Sequence, residues 1–277
     1  ACSFAIGAKF RFGYDDSLDV VGVHFVGGVV GVLLIGLLAT AAMTGGAQGL
    51  FFGGGLAQLG RQLVSGAWSQ FELGWAPQAW DALWGFLRNK GVPAQDALAC
   101  GLVVEGQKGV YDRFRGRILF PIRDISGKLT AFGGRILSGE GAKYINSPEG
   151  PLFNKRSLLY LLPVAKQAIR ESGCAVVVEG YMDAIRLHLC GFRNSVATLG
   201  TSLTTEQAAL LKRMADQALI CYDSDAAGQE ATLRGMSLLQ KEGLEVRVVS
   251  LPRGKDPDEL LSSRDGEVLF RQALAEA

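Results

Sequence analysis

The carboxyl-terminal part of the chain, residues 173–277, predicts an α/β domain in which helices flank a parallel sheet. Short apolar runs rich in β-branched residues lie at 176–178, 219–222 and 246–251. Runs of this kind, closed by Gly, Ser or Pro, are typical of buried strands. Helical patterns alternate with them at 183–189, 204–215 and 227–242. This alternation implies right-handed crossovers and therefore one parallel sheet.

The predicted helices have boundary signals of their own. Thr204 or Thr205 can cap the second helix, because a hydroxyl oxygen accepts hydrogen bonds from the first free N–H groups. Gly243 can end the third helix, since glycine readily adopts the left-handed conformation that closes a helix. The strand and helix units therefore have predicted limits as well as a predicted order.

Acidic residues follow each predicted strand, at the edge where open α/β sheets place their ligands. They are Glu179 and Asp183 after the first strand, Asp223 and Asp225 after the second, and Asp256 and Asp258 after a short basic turn that follows the third. A single acid in such a position is ordinarily a solvated loop residue. Acids at three matching positions predict a shared site, and because close carboxylates repel one another, we expect a hard divalent cation among them.

Residues 175–260 resemble the Toprim domain of primases, topoisomerases and some nucleases, which has a Glu after one strand and an Asp-x-Asp after a later one. Four motifs are closer to bacterial DnaG-type primases: Val-Val-Glu-Gly-Tyr-Met-Asp at 177–183, Ala-Thr-Leu-Gly-Thr at 197–201, Tyr-Asp-Ser-Asp-Ala-Ala-Gly at 222–228 and Gly-Lys-Asp-Pro-Asp at 254–258. The resemblance begins near Phe71. Ser224 stands where these primases commonly have Gly, and this small-for-small exchange should preserve the metal geometry.

The resemblance implies a cytoplasmic, metal-dependent RNA polymerase that joins ribonucleoside triphosphates into short RNA primers on single-stranded DNA during replication. It implies that Glu179, Asp223 and Asp225 are catalytic and that all six acids hold Mg²⁺ or Mn²⁺. Asp223 and Asp225 would bind one ion, with Asp183, Asp256 and Asp258 near a second ion or its waters. Glu179 is either a metal ligand or a general base, and the sequence leaves both roles open.

Residues 69–172 predict a small α+β subdomain with a basic hairpin. Alternation over 117–124, a Ser-Gly turn at 126–127 and a return over 129–136 indicate two antiparallel strands. An earlier helical pattern contains Trp80, Leu83, Trp84 and Leu87, and we expect these apolar side chains to pack in a core rather than stack on bases.

Basic residues are concentrated in this subdomain, although the formal net charge of the whole chain is only +1. By charge alone, a solvated face and a phosphate-contacting surface are equally favoured. The motifs Arg-Phe-Arg-Gly-Arg-Ile at 113–118 and Lys-Tyr-Ile-Asn-Ser-Pro-Glu at 143–149 resemble the primase polymerase subdomain, which implies a template groove and nucleotide site. The residues so implied are Arg113, Arg115, Arg117, Arg123, Arg135, Lys143, Asn146 and Lys155. For Asn146, a role in shaping the loop is the simpler interpretation.

Residues 1–68 differ from the rest, because 20–43 contain no charged residue and have the length of a transmembrane helix. The run at 15–24 resembles a late membrane helix of ammonium transporters, and His24 matches one of that family's two pore histidines. One complete span cannot form such a transporter, so transport is not expected. The abrupt change near 68–71 suggests a chimera, and a membrane-tethered primase is the rival interpretation. The chain would associate with a membrane if 20–43 inserts.

Five scattered cysteines and two histidines have no zinc-ligand spacing, so no zinc site is expected. The primase family's zinc-binding and helicase-binding domains are not expected within these residues, which predicts a truncated core without the means to bind the replicative helicase. Two alternatives to a primase core remain: a fragment of an ammonium transporter without activity, and another Toprim enzyme acting on nucleic acid. The expected division is 1–68, 69–172 and 173–277.

Overall fold

The computed structural model describes residues 68–277, apart from 138–139, 201, 224–225 and 253–254. The chain divides into two compact units, Ala1–Leu73 and Gly74–Ala277. In the first unit, the described residues form a 3-10 helix at Trp68–Phe71. The predicted membrane segment 20–43, with His24, lies outside the described residues. Among the helices that are described, none is both long enough and apolar enough to cross a membrane.

The second unit begins with an antiparallel sheet of strand order β1-β4-β5-β6 and a separate two-stranded hairpin, β2-β3. The strands are β1 (Gly74–Ala76), β2 (Val103–Gly106), β3 (Gly109–Asp112), β4 (Arg117–Arg123), β5 (Leu129–Ile136) and β6 (Tyr144–Asn146). Two short helices, α1 (Ala82–Asn89) and α2 (Ala94–Ala99), separate β1 from β2 in the chain. The predicted α+β character of this part is confirmed.

The predicted basic hairpin is formed by β4 and β5, which pair antiparallel with Phe120 opposite Gly133. Asp124 shapes the turn, because its carboxylate accepts hydrogen bonds from the backbone N–H groups of Ser126 (2.9 Å) and Lys128 (3.0 Å). Phe120 is fully buried. The apolar side of the hairpin thus packs inside the unit.

The predicted parallel sheet is present, with strand order β10-β9-β7-β8 and only parallel pairings. Its strands are β7 (Cys174–Val178), β8 (Ser195–Ala197), β9 (Gln217–Ile220) and β10 (Glu245–Val248). The accompanying helices are α3 (Leu162–Ser172), α4 (Tyr181–Leu189), α5 (Thr205–Lys212), α6 (Ala226–Lys241), α7 (Pro257–Leu261) and α8 (Gly266–Glu276).

Strand β8 was not predicted, and β10 is shorter than the predicted 246–251. Only three residues of β8 pair with β7, too few to produce a long apolar run in the sequence. One further ladder bond extends β10, from the N–H of Val249 to the carbonyl of Ile220 (2.8 Å). Pro252 follows and has no N–H to continue the ladder.

The predicted cap of α5 is confirmed at Thr204, whose hydroxyl accepts the N–H of Gln207 (3.2 Å). The side-chain oxygen of Gln207 accepts the N–H of Thr204 in return (3.1 Å). Gly243 follows α6 with φ of 84°, the left-handed conformation that glycine tolerates. The helix ends therefore follow local chemistry that is readable in the sequence.

Aromatic rings connect the antiparallel sheet to the parallel one. Phe120 on β4 stacks on Tyr181 of α4 with ring centroids 5.0 Å apart, and Tyr160 meets the edge of Tyr181 at 4.7 Å. Tyr160 also exchanges backbone hydrogen bonds with Ala197 of β8. Because close-packed aromatic contacts of this kind resist sliding, the two sheets of this unit have a defined relative position.

The expectation that the side chains of the first helix lie in a core is wrong. Trp80 is 64% exposed and α1 has no buried residue. The Trp80 ring contacts Tyr111 at 5.4 Å and the Arg115 guanidinium at 4.2 Å. Since α1 is short and is held by the Asp112 carboxylate through the N–H groups of Leu83 and Trp84, polar contacts rather than burial of its apolar face fix its start.

Candidate metal and nucleotide site

Strand ends of the parallel sheet bring carboxylates to one cleft of about 600 Å³, which we call the carboxylate cleft. Five of the six predicted acids line it: Glu179, Asp183, Asp223, Asp256 and Asp258. The sixth, Asp225, lies outside the described residues. Burial of the sheet's apolar strands thus forces anionic groups from three strand ends toward the same space.

Glu179 and Asp223 are the central pair. Glu179 follows β7 directly, and its Oε1 accepts a hydrogen bond from the backbone N–H of Asp223 (3.4 Å). Both residues are half-buried. The ladder bond from the N–H of Cys221 to the carbonyl of Val177 (2.9 Å) holds the two strand ends in register. The pair is therefore positioned by backbone structure, before any ligand binds.

Asp183 is the most buried acid of the cleft, at 7% exposure. Its oxygens accept the N–H of Gly180 (3.1 Å) and the N–H of Asp258 (3.2 Å), so it ties the start of α4 to the start of α7. Burial is the main cause that raises the pKa of Asp183 to about 7, and the nearby charges of Asp256 and Asp223 contribute to the same rise. This carboxyl therefore combines a positioning role with a proton that titrates near neutral pH.

The acids on α7 have partners of their own. Asp256 caps the helix by accepting the N–H of Glu259 (2.7 Å), and Asp258 forms an ion pair with Arg186 (2.8 Å). The Asp258 and Arg186 side chains are both about three-quarters buried, so the pair is shielded from solvent more than a surface ion pair. Asp256 and Asp258 are therefore each held by a contact within the protein.

The donor chemistry of the cleft fits a hard cation, because half-buried carboxylate oxygens are the ligands that Mg²⁺ and Mn²⁺ prefer. Within the described residues, however, no group of three or more His, Cys, Asp or Glu side chains comes close enough together to hold a metal ion. Glu179 and Asp223, which meet through the Asp223 N–H, would form part of such a centre. The metal ligands stay a prediction.

Of the eight predicted nucleic-acid and nucleotide-binding residues, three line the carboxylate cleft: Arg135, Lys143 and Asn146. Asn146 bridges elements, since its amide donates to the carbonyl of Leu199 (2.9 Å) and accepts from the Tyr181 hydroxyl (2.8 Å). The interpretation that Asn146 shapes the loop agrees with these contacts. Arg135 and Lys143 bring positive charge to the edge of the acidic cleft.

The other five are not among the residues that line this cleft: Arg113, Arg115, Arg117, Arg123 and Lys155. Arg117 is 8% exposed and donates to the carbonyls of Gly134 (3.3 Å) and Ala142 (2.9 Å). Arg113 donates to the Asn146 carbonyl (2.8 Å). Burial lowers the pKa of both guanidinium groups. These two arginines brace the antiparallel sheet, and their contact with nucleic acid stays a prediction.

Arg115 and Arg123 are likewise held by local contacts. Arg115 lies over the rings of Trp80 and Tyr111 and donates to the Asp112 carbonyl. Arg123 donates to the Gly127 carbonyl across the hairpin turn (2.9 Å). The concentration of basic residues and the resemblance to primases identified Arg115 and Arg123, but neither shows which backbone carbonyls their side chains contact.

Sequence reasoning missed one cation of the cleft, Arg234 on α6, and its neighbour Ser202. Arg234 lies three residues after Ala231, which also lines the cleft, and residues three apart share a helix face. The sequence therefore places Arg234 and Ala231 on one face of a predicted helix. Only the structure shows that this face meets the acids.

Three family models match the chain. The model described as "DNA primase catalytic core, N-terminal domain" matches residues 57–166, and the "Toprim-like" model matches residues 176–261. The model of the "Ammonium Transporter Family" matches residues 1–71. The primase match begins earlier than the predicted start near Phe71, and it overlaps the transporter match over residues 57–71.

Curated relatives of similar sequence are DNA primases. The primase of Clostridium acetobutylicum is 45% identical over 203 residues, which cover 73% of this chain and 34% of that protein. The primase of Deinococcus radiodurans is 46% identical over 220 residues, 78% of this chain and 38% of that protein. The chain thus spans about a third of the length of these relatives.

Solved primase structures share the fold. A DNA primase domain from Pseudomonas aeruginosa has a TM-score of 0.72 and 42% identity, covering 78% of this chain and 69% of that one. The E. coli primase catalytic core has a TM-score of 0.70 and 36% identity, covering 80% and 74%. The fold and cleft are those of a Toprim-type domain joined to an antiparallel subdomain. The chain belongs to the family of DNA primase catalytic cores.

The raised pKa of Asp183 predicts a pH dependence of stability in the metal-free protein. In the unfolded chain this carboxyl titrates near its ordinary pKa of about 3.9, whereas in the folded state it holds its proton up to about pH 7. Folding therefore takes up a proton between these values, and this group makes the free energy of unfolding fall as pH rises through that window.

We expect Asp183→Asn to remove this decline, which is at most about 1.4 kcal/mol per pH unit. The loss of a hydrogen bond to a backbone N–H should add an offset that does not depend on pH. Urea unfolding in EDTA across the window measures the difference between parent and variant. Asp265→Asn is the control, because Asp265 makes no capping side-chain hydrogen bond. A parent and an Asp183→Asn variant with the same pH profile would contradict the assignment.

Proposed function

We propose that this chain acts as the catalytic core of a DNA primase, which joins ribonucleotides into short RNA primers on single-stranded DNA with release of pyrophosphate. The observation that carries the proposal is the meeting, in one cleft, of strand-end acids with Arg135 and Lys143. Phosphoryl transfer depends mainly on positioning and on neutralisation of charge, which acids holding a metal and basic side chains can supply together.

Relatives support the proposed template. A DnaG primase catalytic domain that is 32% identical to this chain, with a TM-score of 0.69, was solved bound to single-stranded DNA. A Mycobacterium tuberculosis primase RNA polymerase domain was solved with a double-stranded oligomer that has a 6-nucleotide overhang. Single-stranded DNA and ribonucleoside triphosphates are the ligands that we propose for this chain, and we propose that it acts in the cytoplasm.

In the proposed mechanism, Glu179, Asp223 and Asp225 would hold a divalent cation, and Asp183, Asp256 and Asp258 would serve a second ion or its waters. The cation, when bound, neutralises phosphate charge and favours the deprotonated attacking hydroxyl. Asp183 keeps the starts of α4 and α7 together through two backbone N–H groups. Arg135 and Lys143 offset the negative charge of the triphosphate or the template.

A primase is favoured over another Toprim enzyme because of the residues before the parallel sheet. Toprim enzymes of other classes share the acid-bearing parallel sheet, whereas the match over residues 57–166 is to the N-terminal domain of the primase core itself. That region contributes Arg135, Lys143 and Asn146 to the cleft. The family matches over 57–166 and 176–261 support the proposed division into a polymerase subdomain (69–172) and a Toprim domain (173–277).

Ribonucleotide incorporation on single-stranded DNA tests the function. The full chain should incorporate ribonucleotides in Mg²⁺ or Mn²⁺, and Asp223→Ala should lower the rate by on the order of a hundredfold or more, because a carboxylate that serves the transition state is lost.

The matched control is Asp216→Ala. Asp216 precedes the same strand β9, at its opposite end, and its side chain is 96% exposed. We expect this variant to keep the parent rate. Absence of incorporation by the parent, or an equal loss in both variants, would contradict a catalytic role for the cleft.

We also propose that the chain is a chimera, in which a segment of the ammonium-transporter type, expected at 1–68, precedes the primase core. Because the primase match begins at residue 57, we now assign the residues before 57 to that segment. The two family matches at 1–71 and 57–166 support it. If this is right, those residues contribute nothing to catalysis, and deletion of residues 1–56 should leave ribonucleotide incorporation unchanged. Loss of activity in a deletion variant that keeps its circular-dichroism spectrum would show instead that they belong to the primase core.

A further inference from the structure

Arg234 brings positive charge to the carboxylate cleft from the parallel-sheet side. It lies on α6, the helix that follows Asp223 and Asp225 in the chain, and it lines the cleft with Asp223, Asp256 and Asp258. Arg135 and Lys143 reach the same cleft from β5 and the loop before β6. Cations thus approach the acids from two different layers of the unit, and only those of the antiparallel layer have a proposed role.

Two contacts orient the Arg234 guanidinium. Its Nη2 donates to the Ser202 hydroxyl (3.3 Å), and its Nη1 donates to the Glu230 carboxylate one turn earlier on α6. Ser202 directly follows the motif Ala-Thr-Leu-Gly-Thr at 197–201, none of whose residues has a role in the proposed mechanism. An arginine has five N–H donors, so these contacts leave capacity for a ligand.

The Glu230 contact is easily exchanged. The Arg234 and Glu230 side chains are 49% and 72% exposed, and an exposed pair at this helical spacing contributes little to stability. A phosphate group offers at least two anionic oxygens, which match the guanidinium geometry better than one carboxylate oxygen does. Once a cation neutralises the acids, phosphate can approach Arg234 without crossing a field of like charge.

We propose that Arg234 binds phosphate in the carboxylate cleft and that Ser202 positions its guanidinium. The inference rests on the proposed function, since it adds a contact to the same cleft. The phosphate belongs either to the triphosphate of the incoming nucleotide or to the nucleic-acid backbone, and these sources share the chemistry that arginine recognises.

Equilibrium binding to the full chain tests the inference with two probes. The first is inorganic tripolyphosphate in Mg²⁺, and the second is an oligothymidylate strand titrated over a range of salt concentrations. Arg234→Gln should weaken binding of tripolyphosphate or of the strand, whichever supplies the phosphate that Arg234 contacts, roughly tenfold. If the source is the strand, the slope of log affinity against log salt should also fall by about 0.7. Arg234→Lys should recover part of the loss, and Ser202→Ala should reproduce part of it.

The matched control is Arg271→Gln on α8. Arg271 pairs with Glu267 at the same helical spacing (2.9 Å, with exposures of 60% and 54%) and is not among the residues that line the cleft. If Arg234→Gln weakens tripolyphosphate binding and Arg271→Gln does not, the phosphate belongs to the triphosphate of the nucleotide. If Arg234→Gln instead lowers the salt slope of strand binding, the phosphate belongs to the nucleic-acid backbone. Either result supports the inference.

Unchanged binding of both probes by Arg234→Gln overturns the inference, as does an equal loss in Arg271→Gln or a parent that binds neither probe. The proposed function fails separately. A parent that binds both probes but incorporates no ribonucleotide contradicts primer synthesis, while the comparison of Arg234→Gln with the parent still decides whether Arg234 binds phosphate.

Discussion

Repulsion among carboxylates at one sheet edge is the constraint on which this structure depends. Parallel pairing of β7, β9 and β10 brings acids together that would separate if the chain were free, and the apolar core on which these strands pack holds them there. Asp183 shows the cost of this placement, because burial and, after it, the charges of Asp256 and Asp223 raise its pKa to about 7. The hydrogen bond from Asp223 to Glu179 and the ion pair of Asp258 with Arg186 offset part of it. A divalent cation would offset the rest.

The antiparallel layer contributes to the carboxylate cleft because it packs beside the edge of the parallel sheet where the acids lie. Stacking of Phe120 on Tyr181 joins the layers at the helix that follows Glu179, and Asn146 adds hydrogen bonds to Tyr181 and Leu199. Asn146 lies on β6 with Lys143 directly before that strand, and Arg135 lies on the neighbouring β5, so contact between the layers and positive charge at the cleft come from neighbouring strands. Half-buried polar bridges of this kind favour one arrangement of the two layers over others.

Much of this could be predicted from the sequence, because the decisive signals are local. Apolar runs followed by acids located β7, β9 and the cleft, and Thr204 and Gly243 marked helix ends. The environment of Arg117 could not be predicted, because strand alternation does not show that its guanidinium donates to the carbonyls of Gly134 and Ala142. Nor does a helical pattern show that Trp80 beside α1 is exposed. Arg234 was missed because its role depends on which helix face meets the acids, a tertiary property.

Anomalous scattering from crystals of the full chain grown with Mn²⁺ tests whether Glu179 and Asp223 hold a divalent cation at the sheet edge. We expect a manganese peak in the carboxylate cleft, in contact with oxygens of Glu179 and Asp223, that is absent from Asp223→Ala crystals. A well-ordered cleft without such a peak, or a peak bound only by Asp256 and Asp258, would contradict this expectation.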